Sequence, residues 1–494
     1  GSRMRTFALD RGQTMKYWHI DLQGTTIHLA QGQVGGQDRT ETHSVANEEQ
    51  AQRWVTRLIQ EHLEKGYFET TPPHSSTLPP ATGLRDALER AILEDPDDLA
   101  SYAAYADWLS EQPNPADQAR AELIRLQLAQ ETAPDPQRQA RIEQLIAQHQ
   151  TAWIGPWLAL ANNDDPYNES QLPFPQPLPV RYVRGIPAEA VLAHLSLELA
   201  AQFVMCPSTW QIRRLFIGGF QGIPYDYSPD TTLLPPWLRH LRHRSPSFGI
   251  FEALKHWPGL AHLRTLQYGW TFDENYGEVC SIHSNLSGEQ VHEWVCRMPL
   301  VEELITNAYS INAHTIFQQP MPHLRLLHFY QNEEYPLEVL AENASLSNLT
   351  HLLLHPQVGS NGITLTLEGL RAIARSPHLI SLKHLRMRFT VFGDAGIREL
   401  IDSGLLGRLE TLDLRHGRVS DTGAALIAES TQSRGLKHLD LSHNELSPEG
   451  IARLQQAGIP AIAPFSHEST AHFGETPGPD DIWQMPFLFD GDFE

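Results

Sequence analysis

Arginine and histidine recur through the C-terminal half of this 494-residue chain at positions suited to binding rather than to bond breaking. Arg214, His328, Tyr330, His351, His355, His384, Arg386, Arg388, Arg415 and His438 each sit beside the apolar residues of a repeated L-x-x-L-x-L pattern. Alternate residues of a strand face opposite sides. With the leucines inward, these positions are predicted to face solvent together, as a basic, histidine-rich and partly aromatic stripe for a macromolecular partner. Other constellations carry less chemistry. His467-Glu-Ser-Thr-Ala-His472 imitates a zinc-binding helix motif, but its histidines are five positions apart. That spacing turns them about 140° from each other on a helix, so one zinc could not be held. Cys296 follows His292 among apolar Val291, Trp294 and Val295, and is read as a buried structural cysteine, not a nucleophile. Phosphate-binding G-x-x-x-x-G-K-[ST], dinucleotide G-x-G-x-x-G and nucleophile G-x-S-x-G patterns are missing. No catalytic residue, metal or cofactor is therefore assigned, and the chain is expected not to be an enzyme.

A formal charge of −22 argues against a protein that coats nucleic acid over its whole surface, though not against a local basic patch. Arg239, Arg242 and Arg244 form one such cluster, read as part of an exposed insertion. With 41% hydrophobic residues the chain can bury real cores, and its length implies several domains. No apolar run reaches the roughly 18 residues of a membrane span. The start lacks the regions of a secretory signal. The three cysteines form no C-x-x-C pair. Together these point to a cytoplasmic protein without a membrane partner.

Residues 1–15 read as a tag remnant and N-terminal extension, and 16–70 as a small α+β module. Two alternating runs flank a Gln23-Gly24 turn, a glycine-rich stretch follows, and Asn47 is placed to cap a helix over 48–65 with Ala51, Trp54, Val55, Leu58, Ile59 and His62 on one face. This succession, with Trp18, Gly36-Gln37 and Lys65-Gly66-Tyr67, resembles the WGR domain of poly(ADP-ribose) polymerases and bacterial multidomain proteins. The naming motif is altered: Gln31 and Gln33 flank Gly32 where the family has Trp and Arg. The resemblance implies a DNA contact at this loop, for which Lys16, Gln31, Gly32, Gln33 and Arg39 are the candidates. Stacking and phosphate pairing need an aromatic face and a cation, which glutamine does not supply, so a docking module that has lost its nucleic-acid site stands as the alternative.

A Pro/Ser/Thr-rich linker over 71–83 leads to Asp95-Pro-Asp-Asp98, Tyr105-Ala-Asp-Trp-Leu109 and Arg120-Ala-Glu-Leu-Ile-Arg-Leu-Gln127. The series resembles the repeat-companion domain found beside leucine-rich repeats in bacteria, and 84–195 is assigned to such a helical capping domain. Asp107 and Trp108 are read there as a capping and packing pair. Over 196–458 the L-x-x-L-x-L copies run from Ile212/Leu215/Ile217 to Leu436/Leu439/Leu441, the last followed by Asn444 and Leu446. Gly369, Gly396, Gly423 and Gly450 recur independently at an interval of 27 residues, each opening an apolar helix. The pattern resembles the ribonuclease-inhibitor type of leucine-rich repeat and predicts an α/β solenoid.

The tail, 459–494, is acidic and contains no Lys or Arg. Trp483, Phe487 and Phe489 lie among its carboxylates, a composition that cannot fold alone and often docks. Docking within the chain and docking to a partner both remain open. The combination of modules resembles recognition subunits of bacterial defence systems. It implies a regulator of a separately encoded protein effector, a caspase-like protease or a nuclease; a DNA or RNA sensor is the rival.

Overall fold

Alternating apolar residues in the N-terminal segment make strands with one oily face, which an amphipathic helix closes. The computed structural model describes residues 3–10, 15–33, 39–65, 67–69, 83–155, 180–196, 210–221, 234–235, 238–243, 254, 257–268, 288–307, 313–331, 334–356 and 365–462. Strands β1 (Arg3–Asp10), β2 (Met15–Gln23), β3 (Thr26–Gln33), β4 (Arg39–Ser44) and β5 (Phe68–Glu69) form an antiparallel sheet in the order β4-β3-β2-β1-β5. Helix α1 (Glu48–Glu64) starts at Asn47, whose side chain accepts from the Gln50 N–H at 2.9 Å. Its four-residue spacing lays Ala51, Val55 and Ile59 against Phe7, Trp18, Ile20 and Ile27. The Trp18 ring stacks on His62 at 3.7 Å. One boundary is corrected. Residues 3–10 are not an extension: they form β1, and its Phe7 is fully buried in this core.

Asp98, Asn114 and Asp135 begin the next helices by accepting from backbone N–H groups, with Pro115 and Pro136 in first turns where no N–H is needed. Helices α2 (Leu84–Glu94), α3 (Leu99–Ser110), α4 (Pro115–Thr132) and α5 (Pro136–Ile154) follow one another, and Ile92, Tyr102, Tyr105, Leu109 and Ile124 share a core with Ile186. Trp108 packs on that core, but Asp107 caps nothing; its carboxylate meets Arg125 at 2.8 Å. Strands β6 (Val180–Val183) and β7 (Ile186–Ser196) form a hairpin, and β7 pairs in parallel with β8 (Arg214–Gln221). Buried Arg120 ties helices to hairpin, donating to the Gly185 carbonyl at 3.0 Å and to Gln211 Oε1 at 2.6 Å. Gly185 has φ +74°, and a β-carbon there would lie 2.2 Å from Ile124 Cγ1, so both backbone and packing demand glycine.

The chain divides into two compact units, Gly1–Arg239 with Ser247–Gly259, and His240–Pro246 with Leu260–Glu494. The second contains parallel strands β9 (His240–His243), β10 (Thr265–Tyr268), β11 (Glu303–Asn307), β12 (Leu326–Gln331), β13 (His351–Pro356), β14 (His384–Met387), β15 (Thr411–Asp413), β16 (His438–Asp440) and β17 (Ala461–Ile462), paired in sequence order. Leu304, Leu327, Leu352, Leu385, Leu412 and Leu439 stand in one register and are buried on the helical side. That side carries α6 (Gly288–Val295), α7 (His314–Gln318), α8 (Leu337–Ala341), α9 (Leu367–Arg375), α10 (Gly393–Asp402), α11 (Asp421–Glu429) and α12 (Pro448–Gln456). The result is a mixed α/β architecture with the parallel sheet of a leucine-rich-repeat solenoid. Among the described residues, no helix is long and apolar enough to cross a membrane.

Two of the 27-residue glycines, Gly423 and Gly450, have a cause in a carboxylate of the preceding repeat. The Asp421 carboxylate accepts from the Ser447 N–H at 2.8 Å and from its hydroxyl, and Asp394 does the same for Ser420 one repeat earlier. Each serine in turn caps its own helix. A β-carbon on Gly450 would stand 2.0 Å from Asp421 Oδ1, and one on Gly423 2.4 Å from Asp394 Oδ1. Gly450→Ala must therefore move the carboxylate and break its bridge. A loss of about 1–3 kcal/mol is expected in urea unfolding of the intact chain; a midpoint equal to that of the wild type would show that the bridge is not needed. Asn444 joins turns as the motif predicts. Its carbonyl accepts from the Gly417 and Val419 N–H groups, both at 2.9 Å, and its amide donates to the Leu414 carbonyl at 2.9 Å.

Two further readings are corrected. The described part of the basic run, 239–243, is no exposed insertion: β9 occupies 240–243, with Leu238 and Leu241 as its repeat leucines, and Arg242 is buried. The polar residues between those leucines mask the pattern. Cys296, at the end of α6, is exposed and free, because it falls on the polar side of a helix that buries Val291, Trp294 and Val295.

Candidate functional site

The sheet surface opposite the helices is built from three rows that run across the strands. The first follows the pairings Leu326, His351, His384, Thr411 and His438. His351 and His384 stack at 3.9 Å, and His384 Nδ1 lies 2.9 Å from the Thr411 hydroxyl. From His351 to Thr411 this row is half-buried, and His438 is exposed. Beside it, exposed Lys383 and Lys437 grip Glu410 at 3.0 and 2.6 Å. Hydrogen bonds from these two ammonium groups lower the Glu410 carboxyl to about 2.

The central row is Gln267, Ile305, His328, Leu353, Arg386, Asp413 and Asp440. Here the predicted exposure fails. Strand alternation places His328, Arg386 and Arg388 on the solvent side of the sheet, yet they are 0%, 9% and 0% exposed, and His355 is buried as well. Alternation fixes which way a side chain leaves the sheet but not what lies above it. Arg388 donates through Nε and Nη2 to Asp413 Oδ2, at 3.0 and 2.7 Å; Arg386 Nε lies 3.1 Å from the same oxygen. Half-buried Arg415 reaches Asp440 at 3.0 Å and Asp413 at 3.9 Å. Burial alone would raise the Asp413 carboxyl; Arg388, Arg386 and Arg415 reverse that and hold it well below the usual carboxylate range. Burial pushes His328 well below the usual imidazole range, and the nearby guanidiniums push the same way. Burial, with neighbouring His384 and Arg325, lowers His351 to about 4, and burial also lowers His384. Near pH 6 the buried arginines, and not His328 or His351, therefore carry the positive charge of the central row and its His351 neighbour.

A third feature lies at the strand ends. Phe389, His416 and His443 all have left-handed backbones, with φ of 53°, 53° and 56°. Their rings stack in a ladder, 4.5 Å apart at each step. The repeat pattern does not single them out, although their 27-residue interval is that of the glycines and could have found them. Burial, His443 and Arg415 lower His416 to about 4.

The remaining candidates are scattered. Arg214 belongs to the first unit, where it lies 3.4 Å from Glu189. Tyr330 on β12 pairs with Asn307 and His355 in the third row; its side chain lies outside the described residues. In the N-terminal sheet, pairing sets Lys16 opposite Gln33 and Gln31 opposite Arg39, with Gly32 opposite Tyr17. Lys16, Gln31 and Arg39 are exposed, and Arg39 is already paired with Glu41 at 3.2 Å. Arg239 is half-buried, and Arg242 is too buried to meet a phosphate. Arg244, Trp483, Phe487 and Phe489 lie outside the described residues. Among the described residues, no group of three or more His, Cys, Asp or Glu could hold a metal ion.

A family model agrees with the repeat geometry over part of the solenoid. Residues 409–428 and 432–454 match the leucine-rich-repeat family model, covering β15, most of α11, β16 and most of α12. Among solved structures the chain is similar to a protein from Bacteroides fragilis, with 18% identity over 94% of this chain and 96% of that one and a TM-score of 0.38. It is also similar to a leucine-rich-repeat protein from Leptospira interrogans, with 15% identity over 55% of this chain and 74% of that one and a TM-score of 0.23. No curated protein matches it. Proteins built of such repeats generally mediate protein–protein interaction.

Proposed function

We propose that this protein is a non-catalytic recognition subunit that binds a protein effector through the open side of its repeat sheet. The observation that carries this reading is the accessible ridge of the first row. His351, His384, Thr411 and His438 continue one another across four strands, with Lys383 and Lys437 alongside. Such a ridge offers hydrogen bonds, stacking surfaces and cations at a spacing of about 4.8 Å, as a folded protein surface requires. The effector class, a caspase-like protease or a nuclease of a bacterial defence system, follows from the resemblance of the whole arrangement. The resemblances of the separate segments assign residues 16–70 to a WGR-like module and 84–195 to a repeat-companion cap. An exposed free thiol at Cys296 suits a reducing cytoplasm.

The rival reading, a DNA or RNA sensor, draws less support: Arg242 is buried, Arg39 is paired, and Gln31 provides no aromatic face. Both readings meet one test. His384→Glu combined with His438→Glu alters the accessible ridge and spares the buried arginines. Affinity for the captured partner should fall at least about tenfold, roughly 1.4 kcal/mol, with an unchanged unfolding curve. Binding within twofold of the wild type would remove the ridge from the interface. Nuclease-sensitive capture that weakens steeply with salt would select the nucleic-acid reading instead.

A further inference from the structure

The central row of the open face is already covered. Gln267, Ile305, His328, Leu353, Arg386, Asp413 and Asp440 form one row on the side away from the helices, and all are buried. Neighbouring strands, about 4.8 Å away on either side, cover the flanks of a side chain but not its tip. Burial of the tips needs matter above the sheet.

Charge states what kind of matter. Arg386, Arg388 and Arg415 bring three guanidiniums to one place, and among the described residues Asp413 and Asp440 are the two carboxylates ion-paired with them. The surplus positive charge lies where Arg388 has no exposure at all. An uncompensated charge is not tolerated in such a place. All three arginines make further interactions in addition to these ion pairs. Next to this basic end, Ile305, Leu326 and Leu353 form an apolar cluster on the same face. The missing cover must be acidic at one end and apolar beside it.

We propose that residues 463–494 of the same chain are that cover, lying along the open face in cis. The segment contains seven carboxylate side chains and no Lys or Arg, and it sets Ile482, Trp483, Phe487 and Phe489 between Asp480-Asp481 and Asp490. It continues directly from β17, whose Ile462 pairs with Asp440 at the charged end of the row. Five strand spacings separate β17 from β12, roughly 24 Å. The residues between Ile462 and Asp480 span up to about 60 Å when extended, so the acidic pairs reach the arginines and the aromatic residues reach the apolar cluster. The tail then acts as an internal ligand. A partner that reads the central row must displace it, a consequence that rests on the function proposed above, whereas the cover itself does not.

The test uses the full chain and phenylglyoxal, a guanidinium reagent, read by peptide mass spectrometry at Arg386, Arg388 and Arg415, with exposed Arg53 as reference. In the wild type the cluster should react about tenfold more slowly than Arg53. In the full chain carrying Asp480→Asn, Asp481→Asn, Asp490→Asn and Asp492→Asn, the cluster should approach the Arg53 rate, while Arg53 is unchanged. A second full chain, with a specific protease site placed after Ser466, keeps the native tail. After cleavage the tail should remain with the body on gel filtration at low salt. Cluster rates unaffected by the tail substitutions, or a cleaved tail that elutes alone, would overturn the proposal. So would protection that fades on dilution of a chain that sediments as a dimer, since the cover would then be a second copy. The His384→Glu/His438→Glu variant tests partner binding separately, so failure of one reading leaves the other standing.

Discussion

Asp413→Ala should destabilise the repeat unit by about 3–5 kcal/mol, the cost of removing one partner from a buried ion pair. The Asp413 carboxylate lies within 4 Å of three guanidiniums, and Arg388 has no access to water. Without the carboxylate, Arg388 loses both of its hydrogen bonds to Asp413 and cannot recover hydration without opening the sheet. Arg388→Met should be milder, because it removes a charge and leaves Asp413 with Arg386 and Arg415. Glu410→Ala is the surface control: its two lysines stand in solvent, and the unfolding curve should hardly move. Urea unfolding of the three variants checks the order. An Asp413→Ala midpoint no lower than that of Glu410→Ala would mean that the cluster is not a structural centre. A charge reversal at Arg388 is consequently no probe of binding, since it would unfold the face that it is meant to test.

Acid should weaken the repeat unit well before its carboxylates are protonated. His351 and His416 are lowered to about 4, and His328 is lowered well below the usual imidazole range, burial being the first cause in each case. In the unfolded chain these rings titrate near 6.5. Between pH 6.5 and about 4 the unfolded state therefore binds more protons than the folded state, and stability falls as pH falls. Above pH 6.5 the rings are neutral in both states and contribute no slope. The folded carboxyls of Asp413 and Glu410 lie lower still. Their contribution is lost as pH falls through the unfolded carboxyl range, from about pH 5 downwards, so it adds to the decline only at the acid end of that window. With half-exposed His351 and His416 discounted for solvent screening, the combined loss is on the order of 2 kcal/mol, or about 4–8 °C in melting midpoint for a unit of this size. Melting curves at pH 7.5, 6 and 4.5 should show this decline, and His416→Gln should flatten it. A midpoint constant from pH 7.5 to 4.5 would refute the assignment of neutral, buried imidazoles.

Where one local rule acts alone, the sequence was readable. Asn47 and the four-residue spacing after it define α1, and Asn444 bridges turns because its amide has the right donors and acceptor at the end of a strand. Where a pattern is carried by polar residues, it was not. Strand β9 hides among arginines and histidines, and the apolar residues of β1 (Met4, Phe7, Ala8 and Leu9) do not alternate with polar ones, although Phe7 anchors it.

The repeat architecture was determined by sequence alone. A leucine register and a glycine at constant interval are one-dimensional signals, because each repeat meets only its neighbours and imposes the same demands on each copy. The identity of the residues on the open face was equally determined, since strand alternation assigns every side chain a side. Only tertiary structure decided what those residues do there. Arg386, Arg388 and Arg415 converge on Asp413 from adjoining strands, and their burial depends on what lies above the sheet. Exposure and charge compensation are properties of the filled space around a side chain, to which residues distant in sequence contribute, so a stripe of apparent surface cations became a buried electrostatic core.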